Sequence, residues 1–290
     1  LSSADMKAEG VLNFGQATMA SEYFHFNQSA FHADTSDFRL HTALEGEPAF
    51  VAMKYNAFVD FKNREAYFEN TGNPSALSFP YNSYICTLDE ANWLMDKDQV
   101  ELKNITFQQQ IDIDSLTFDQ LIDLNLVGSE FISVHPDQDS LSFFSLKANY
   151  DLKTYAIEAR DVKIIKTADA AVFPDDGLVR ILEGARMETF KKAYIIADTA
   201  NRQHHFSNAE VTIFGRRQYE ASGEYNYIDY QENIFPIYFS AVFPDESGVT
   251  TASGTIEKSE QFKLSPHFSY AGKVFLKANE PLLSFDGAFR

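Results

Sequence analysis

The chain of 290 residues contains one cysteine, one tryptophan, 13 glycines and 9 prolines. The single cysteine, Cys86, has no partner for an internal disulfide, and its apolar neighbours in SYICTL indicate a small buried side chain rather than a reactive thiol. The low glycine and proline content excludes collagen-like and low-complexity chains. No stretch approaches the roughly 18 uninterrupted apolar residues of a membrane-spanning helix, so no transmembrane segment is predicted.

Positive charge is also scarce. Against 42 Asp and Glu the chain has 24 Lys and Arg, and its formal net charge is −18. Nucleic acids and anionic membrane surfaces are therefore excluded as partners, because both require a basic face. The largest basic cluster, Arg216-Arg217, is too small to reverse this conclusion. Solubility is a sufficient explanation of the acidic excess.

Aromatic residues, in contrast, are abundant, at 14% of the chain with 27 Phe and 14 Tyr. Together with Val, Ile and Thr these residues suit a half-buried pleated surface. Apolar residues recur at every second position in short runs between polar turns, which predicts antiparallel strands. Such runs include 57–61, 141–146, 162–165, 178–182, 193–197, 210–214, 224–228, 237–243 and 273–278. We therefore predict an all-β fold of stacked short antiparallel strands.

Helical periodicity is weak, and at most one or two short helices are predicted. The candidates are residues 88–99, whose apolar set includes Trp93, and residues 115–126, which Ser115 could cap.

No clear linker divides the chain. Residues 1–290 are predicted to form one continuous all-β unit, with a possible division near 106–126, where the sequence is most polar. The abrupt ends of the sequence predict that it is a fragment of a longer protein.

A corner motif occurs twice, at Ala33-Asp34-Thr35 and at Ala197-Asp198-Thr199, and 155–165 is a looser third copy. In such a motif, Asp and Thr side chains can satisfy the backbone amides of a corner through Asx and ST turns. Recurring corners are typical of stacked β-layers in a solenoid-like or folded-over sheet. A β-sandwich would use the same turns, so both architectures stay open.

The motifs of common active sites are missing. The sequence contains no dinucleotide-binding or P-loop glycine pattern and no G-x-S-x-G. His204 and His205 are expected on opposite faces of a strand, and the other histidines fit no zinc spacing. Acidic turns could offer oxygens to calcium, but turn formation explains these residues as well. We predict no catalytic residue, no cofactor, no metal site and no enzymatic activity.

Trp93, with Tyr81 and Tyr84 upstream, allows two interpretations. The three rings could form a sugar-stacking platform, but core packing is favoured because large aromatic residues dominate protein cores. Glycoside hydrolysis would need two facing carboxylates, and 42 acidic residues do not point to a particular pair.

Several segments carry a resemblance to known proteins. They are FPYNSYICTLDEANWLMDKD (79–98), ISVHPDQDSL (132–141), ADAAVFPDDGLVRI (168–181), ADTANRQHHFSNAEVTIFGRRQYEASGEYNYID (197–229) and FKLSPHFSYAGKVFLKANEPLLSFDG (262–287). These segments resemble large, mostly uncharacterised β-rich envelope proteins of Bacteroidetes. The resemblance implies an exported protein in the periplasm, at the outer membrane or at the cell surface, and it brings no catalytic motif.

More distantly, the rhythm of strands and corners looks like the OstA-type folded sheet of lipopolysaccharide-transport bridge proteins, a fold-level analogy. We expect a non-catalytic structural or binding segment of a cell-envelope protein, with other envelope proteins as partners. One alternative is a protein that binds or transports lipid or glycolipid in a groove lined by residues such as Phe14, Phe24, Phe26, Phe58 and Phe61. A second alternative is a carbohydrate-binding or carbohydrate-active protein.

Overall fold

The computed structural model describes residues 6–42, 47–70, 76–104, 115–125, 130–229 and 231–289. These residues form an antiparallel sheet of 24 strands with one short α-helix and a few 3-10 turns, which confirms the all-β prediction. The first twelve strands are β1 (Met6–Phe14), β2 (Ala17–Phe26), β3 (Ala30–His41), β4 (Pro48–Asp60), β5 (Glu65–Asn70), β6 (Leu77–Phe79), β7 (Tyr84–Cys86), β8 (Glu90–Leu94), β9 (Gln99–Lys103), β10 (Glu130–Ser133), β11 (Ser142–Phe144) and β12 (Lys147–Asp151).

The remaining strands are β13 (Ala156–Arg160), β14 (Ile165–Thr167), β15 (Ala170–Pro174), β16 (Val179–Ile181), β17 (Phe190–Ala197), β18 (His204–Gly215), β19 (Gln218–Ile228), β20 (Ile234–Pro244), β21 (Thr250–Ile256), β22 (Lys263–Ser265), β23 (Phe268–Lys277) and β24 (Ser284–Phe289). The helix α1 spans Phe118–Asp123, and 3-10 turns lie at Pro80–Asn82, Met95–Lys97, Pro136–Gln138, Glu183–Ala185 and Lys258–Glu260.

The sheet forks at β4. The second half of β4, from Tyr55 onward, pairs with β5, whereas Val51 in its first half pairs with Ser78 of β6. Two arms grow from this fork. Arm 1 consists of β5, β8, β9, β12, β13 and β16, and arm 2 consists of β6, β7, β10, β11, β14 and β15. The chain alternates between the arms, so neighbours within an arm are often far apart in sequence.

The two arms face each other across a shared core. The ring centroid of Phe79 in arm 2 lies 5.1 Å from that of Tyr150 in arm 1, and 5.5 Å from that of Phe50 in β4. All three side chains are completely buried. Burial of one such ring stabilises the fold by roughly 2–3 kcal/mol, so these rings contribute substantially to stability. The sheet is thus folded over on itself, one of the architectures that the sequence left open.

Two buried amides in turns of arm 2 join it to the far strands of arm 1. Asn82, in the turn between β6 and β7, donates through Nδ2 to the carbonyl oxygens of Tyr155 (2.8 Å) and Ile181 (3.2 Å) in arm 1. Gln138, in the turn between β10 and β11, donates through Nε2 to the carbonyl oxygen of Ala185 (2.6 Å). We call these contacts of Asn82 and Gln138 the clasp. The clasp satisfies carbonyl groups that would otherwise be buried without partners.

The long strands before the fork bend sharply where they pass from one layer to the other. Thr35 in β3 and Lys54 in β4 have φ values of 50° and 60°, in the left-handed region. Next to these bends, the buried Ser36 hydroxyl donates to the carbonyl oxygen of Tyr55 at 2.8 Å. A register shift accompanies the bend of β3. Bulged, left-handed positions of this kind turn a strand without ending its pairing.

Both Ala-Asp-Thr motifs are corners, but of different kinds. The first lies at the bend inside β3, where the Thr35 amide donates to Asn56 Oδ1 at 3.1 Å. The second is the turn after β17, where Asp198 Oδ1 accepts from the amides of Ala200 (3.1 Å) and Asn201 (3.3 Å). The predicted Asx turn is therefore confirmed at Asp198, whereas an asparagine from the neighbouring strand serves the first corner.

Long meanders flank the two arms. Strands β1 to β4 pair in chain order before the fork, and β17 to β21 do so after the arms, with β23 and β24 completing the sheet. β1 pairs only with β2, and β24 pairs only with β23, among the strands of the described ranges. Among the described strands, β1 and β24 are therefore the edge strands of the sheet.

One of the two helix predictions is confirmed and the other is wrong. Residues 115–126 contain α1, which Thr117 caps rather than Ser115: the Gln120 amide donates to Thr117 Oγ1 and the Thr117 amide donates to Gln120 Oε1. Residues 88–99 instead form β8, a 3-10 turn and the start of β9. The single turn at Met95–Lys97 supplied the helix-like spacing, while Trp93 follows the two-residue alternation of a strand.

The possible division near 106–126 lies partly outside the described residues, which stop at 104 and 125 and resume at 115 and 130. Strands from both sides of this segment pair directly, β9 with β12 and β7 with β10. Within the described ranges, no helix has the length and apolar character needed to cross a membrane.

Candidate functional site

Cys86 and Trp93 are the single cysteine and the single tryptophan of the chain, and both side chains lie in the core. Cys86 in β7 is completely buried, and this burial raises the pKa of its thiol to about 12. Trp93 is 8% exposed and packs against Phe38, with ring centroids 5.8 Å apart. Tyr84 is completely buried, so these rings form no exposed platform. A thiol in this state is no nucleophile, because the thiolate is the reactive form.

The histidines are placed as strand geometry predicts. His204 is buried and lies within hydrogen-bonding distance of Tyr225 Oη (3.1 Å) and the carbonyl oxygen of Glu280 (2.7 Å). His205 is exposed and contacts Tyr194 Oη (2.7 Å) on the other face. The opposite orientation of the pair is thereby confirmed, and each ring is held by protein groups.

The acidic turns use their carboxylates to cap backbone amides. Asp245 Oδ1 accepts from the amides of Ser247 (2.9 Å) and Val249 (3.1 Å), and the hydrogen bond from the Ser247 hydroxyl is the main reason why the pKa of Asp245 is lowered. Asp176 Oδ1 accepts from the amide of Leu178 (2.9 Å). No group of three or more His, Cys, Asp or Glu side chains in the described ranges is arranged to hold a metal ion.

The best-formed depression lies on the outer face of the sheet, where β3, β4, β5, β8 and β9 run side by side. It has a volume of about 440 Å³. Its outward-facing side chains are His32, Asp34, Asn56, Phe58, Tyr67, Glu69, Glu90, Asn92, Glu101 and Lys103. We call this set the outer groove.

Strand register arranges the outer groove in two rows. The aromatic row runs across the strands from His32 through Phe58, Tyr67 and Asn92 to Glu101, each directly opposite the next. The acidic row runs parallel to it and consists of Asn56, Glu69, Glu90 and Lys103. Neighbouring strands are about 4.8 Å apart and alternate residues about 7 Å apart, so five strands give a surface roughly 19 Å long.

The aromatic row exposes ring faces at one end. His32 lies against Phe58, with ring centroids 4.6 Å apart, and Tyr67 is 45% exposed. A hydrogen bond from the Tyr67 hydroxyl to the carboxylate of Glu65 raises the pKa of Tyr67, so the hydroxyl stays protonated. Exposed rings on a rigid strand form a ready surface for the apolar face of a ligand.

The acidic row contains an unusual pair. Glu69 and Glu90 are directly opposite each other on β5 and β8, and neither carboxylate has a hydrogen bond or ion pair with a side chain or backbone group of the described ranges. Lys103 Nζ lies 3.5 Å from Glu101 Oε2. Like charges directly opposite each other destabilise a sheet, so packing does not explain the Glu69–Glu90 pair.

A second depression of about 510 Å³ lies near the crossing from β15 to β16, and three of its charged side chains, Arg180, Glu188 and Lys191, form ion pairs. Arg180 Nη1 donates to Glu188 Oε2 at 3.1 Å, and Lys191 Nζ donates to Glu210 Oε1 at 2.7 Å. Because these charged groups pair with one another, they are typical of an ordinary solvated surface. The outer groove, with unpaired carboxylates, is the stronger candidate site.

A buried polar cluster elsewhere has a structural role. Asp169, in the turn between β14 and β15, accepts from the amide of Thr250 (2.9 Å) and from its hydroxyl. The hydroxyls of Thr250 and Tyr219 lie 2.7 Å apart. Burial raises the pKa of Asp169. The cluster joins arm 2 to the start of β21 and leaves no open space for a substrate.

Comparison with known proteins adds no assignment: the chain matches no protein-family model, no curated protein and no solved structure. The resemblance to Bacteroidetes envelope proteins and to OstA-type sheets therefore stays a prediction.

Sequence reasoning missed the outer groove. Its side chains come from five strands between His32 and Lys103, and the pairing of β5 with β8 skips two intervening strands. In the sequence each of these residues is an ordinary outward-facing position of an alternating strand. Only the register brings Tyr67, Asn92 and Glu101 into one line.

Proposed function

We propose that the chain is a non-catalytic structural and binding segment of an exported cell-envelope protein, and that its open sheet edges are where it meets its partner. The partner is a second β-sheet edge of the same kind, which continues the sheet. A single observation carries this proposal: β1 and β24 each pair on one side only among the described strands.

The exposed side chains at these edges support the proposal. Val11 in β1 is 65% exposed, and Phe289 in β24 is 57% exposed. Natural edge strands usually carry charges or prolines that discourage pairing. The half of β1 from Gly10 to Phe14 has neither, and Asp286 is the only charged residue of β24.

β1 and β24 are the edge strands at opposite ends of one sheet, and this arrangement favours a second copy of the chain as the partner. When β24 of one copy pairs with β1 of the next, the sheet continues without closing, which is the heterologous mode of assembly. Main-chain hydrogen bonds supply the affinity in such strand addition. A scaffold in an envelope requires this type of continuation.

The filled interior favours this proposal over a lipid-carrying groove. Phe24 is 2% exposed and packs against Phe31, with ring centroids 5.6 Å apart, while Phe14 and Phe26 are partly buried against the same core. Phe58 faces the outer groove instead of the interior. A lipid would need apolar space that these side chains occupy.

Sedimentation velocity of the purified chain over a range of concentrations tests the proposal. We expect reversible growth into larger species at high concentration, and we expect Val11→Lys, which places a charge on the β1 edge, to abolish it. Val134→Lys is the matched control, because Val134 is 55% exposed and lies away from both edges. A chain that stays monomeric at every concentration, or an equal effect of both substitutions, would overturn the proposal.

A further inference from the structure

We propose that the outer groove binds a short neutral oligosaccharide. The proposal concerns a face of the sheet, whereas the proposed function concerns its edges, so either can fail without the other.

The shape of the outer groove fits an elongated ligand. The groove crosses five strands, from His32 on β3 to Lys103 on β9, and is open to solvent along its length. Its side chains project from paired strands rather than from loops, so their spacing is fixed before a ligand arrives. Such preorganisation lowers the entropic cost of binding.

The two rows match the two kinds of surface that a sugar ring presents. Tyr67 is 45% exposed and lies opposite Phe58 in the aromatic row, while Glu69 and Glu90 lie beside them in the acidic row. A pyranose ring has an apolar face of C–H groups and a rim of hydroxyl groups. Its apolar face can lie on the aromatic rings while the hydroxyl groups reach the neighbouring row.

The outer groove offers both hydrogen-bond donors and acceptors. The carboxylates of Glu69 and Glu90 accept, and Lys103 donates. Asn56 Oδ1 already accepts from the Thr35 amide at 3.1 Å, which leaves its Nδ2 group facing outward as a donor. Hydroxyl groups both donate and accept, so a polyhydroxylated ligand can satisfy all of these groups.

The charge of the outer groove excludes the anionic class of ligand. Four carboxylates, of Asp34, Glu69, Glu90 and Glu101, stand against the ammonium of Lys103. Phosphorylated or sulfated ligands would be repelled. A neutral saccharide avoids this repulsion, and its hydroxyl groups would donate to the opposed Glu69 and Glu90, which have no donor of their own in the described ranges.

Affinity electrophoresis of the folded chain in gels containing neutral glucan, mannan, galactan or xylan tests the proposal. We expect at least one of these polysaccharides to retard the chain. Tyr67→Ala should weaken the retardation about tenfold, since it removes the stacking surface. Glu90→Gln should weaken it several-fold, while relieving the repulsion from Glu69 and thus keeping the fold intact.

Tyr238→Ala is the matched control, because Tyr238 is a 55% exposed tyrosine on β20, outside the outer groove. The Tyr238→Ala variant should be retarded as much as the unmodified chain. The proposal is overturned if no neutral polysaccharide retards the chain, or if Tyr67→Ala and Glu90→Gln bind as the unmodified chain does. Binding of spermine alone, lost at high salt, would also overturn it and would assign the outer groove to organic cations.

Discussion

The two arms and the meanders that flank them have the same alternation of apolar and polar residues, but they differ in how completely the apolar side chains are buried. Between the arms, side chains such as Phe79 and Tyr150 are completely buried, and the clasp joins turns of arm 2 to arm 1. At the far end of the flanking meander, Phe285 is only partly buried and Phe289 is 57% exposed. Alternation therefore produces a buried face, but closure of the core requires specific polar contacts at the ends of the strands.

This difference in burial indicates different roles for the arms and for the strands at the ends of the sheet. The outer face of arm 1, together with β3 and β4, carries the outer groove, whereas β1 and β24 each pair on one side only among the described strands. A region with few buried contacts opens at lower free energy than a packed one. Stability is thus concentrated away from the edges that we propose as contact surfaces.

The largest effect on stability should come from a phenylalanine-to-alanine substitution between the arms, compared with the same type of substitution near the β24 edge. Phe79→Ala, between the arms, is expected to lower the free energy of unfolding by about 3–5 kcal/mol, because a cavity is left in a packed core. Phe285→Ala, whose ring lies 5.1 Å from that of Tyr270 near the β24 edge, should cost about 1 kcal/mol, because the side chain is only partly buried. Urea unfolding measures both, and equal losses would contradict the contrast between arms and flanks.

The clasp should give an intermediate effect. Asn82→Ala removes the donor to the carbonyl oxygens of Tyr155 and Ile181, and leaving these groups unsatisfied should cost about 2–3 kcal/mol. Asn63→Ala is the matched control: its exposed amide donates through Nδ2 to Asp60 Oδ2 at 2.8 Å in a surface turn, and we expect a change within about 0.5 kcal/mol. A loss for Asn82→Ala no larger than that of the control would mean that the clasp does not close the core. Urea unfolding of both variants decides between these outcomes.

Local signals in the sequence were sufficient for the fold class and for many turns. The two-residue alternation predicted the strands, and the Asx turn at Asp198 followed from the residue types alone. Residues 88–99 were misread because the 3-10 turn at Met95–Lys97 imitates helical spacing. The Asx turn and the 3-10 turn each form within about ten residues of chain, which is the length over which local sequence patterns predict structure.

The fork at β4 and the outer groove could not be predicted, because they depend on pairing between distant strands. Nothing near Tyr67 shows that Asn92 will lie opposite it, since β5 pairs with β8 rather than with β6. The clasp is equally non-local, since Asn82 reaches a carbonyl 99 positions away in the sequence. Register of this kind is fixed by the whole core, in which each strand buries one face.

The smallest effect should be a pH dependence at the contact between arm 2 and β21. Burial raises the pKa of Asp169 above its unfolded value of about 3.9, so the native state binds more protons than the unfolded state between these two values. This group therefore stabilises the fold less as pH rises through that window. Asp169→Asn, which stays neutral, should gain stability relative to the unmodified chain as pH rises from low to neutral.

Asp245 provides a control of opposite sign for this titration. Hydrogen bonds from Ser247 and Val249 lower the pKa of Asp245, so its contribution is present above its unfolded pKa and is lost as pH falls through the folded value. Asp245→Asn should therefore lose stability relative to the unmodified chain as pH rises, while Asp169→Asn gains. Unfolding curves at several pH values measure both differences. Trends of the same sign would show that burial at Asp169 does not outweigh its hydrogen bonds from Thr250.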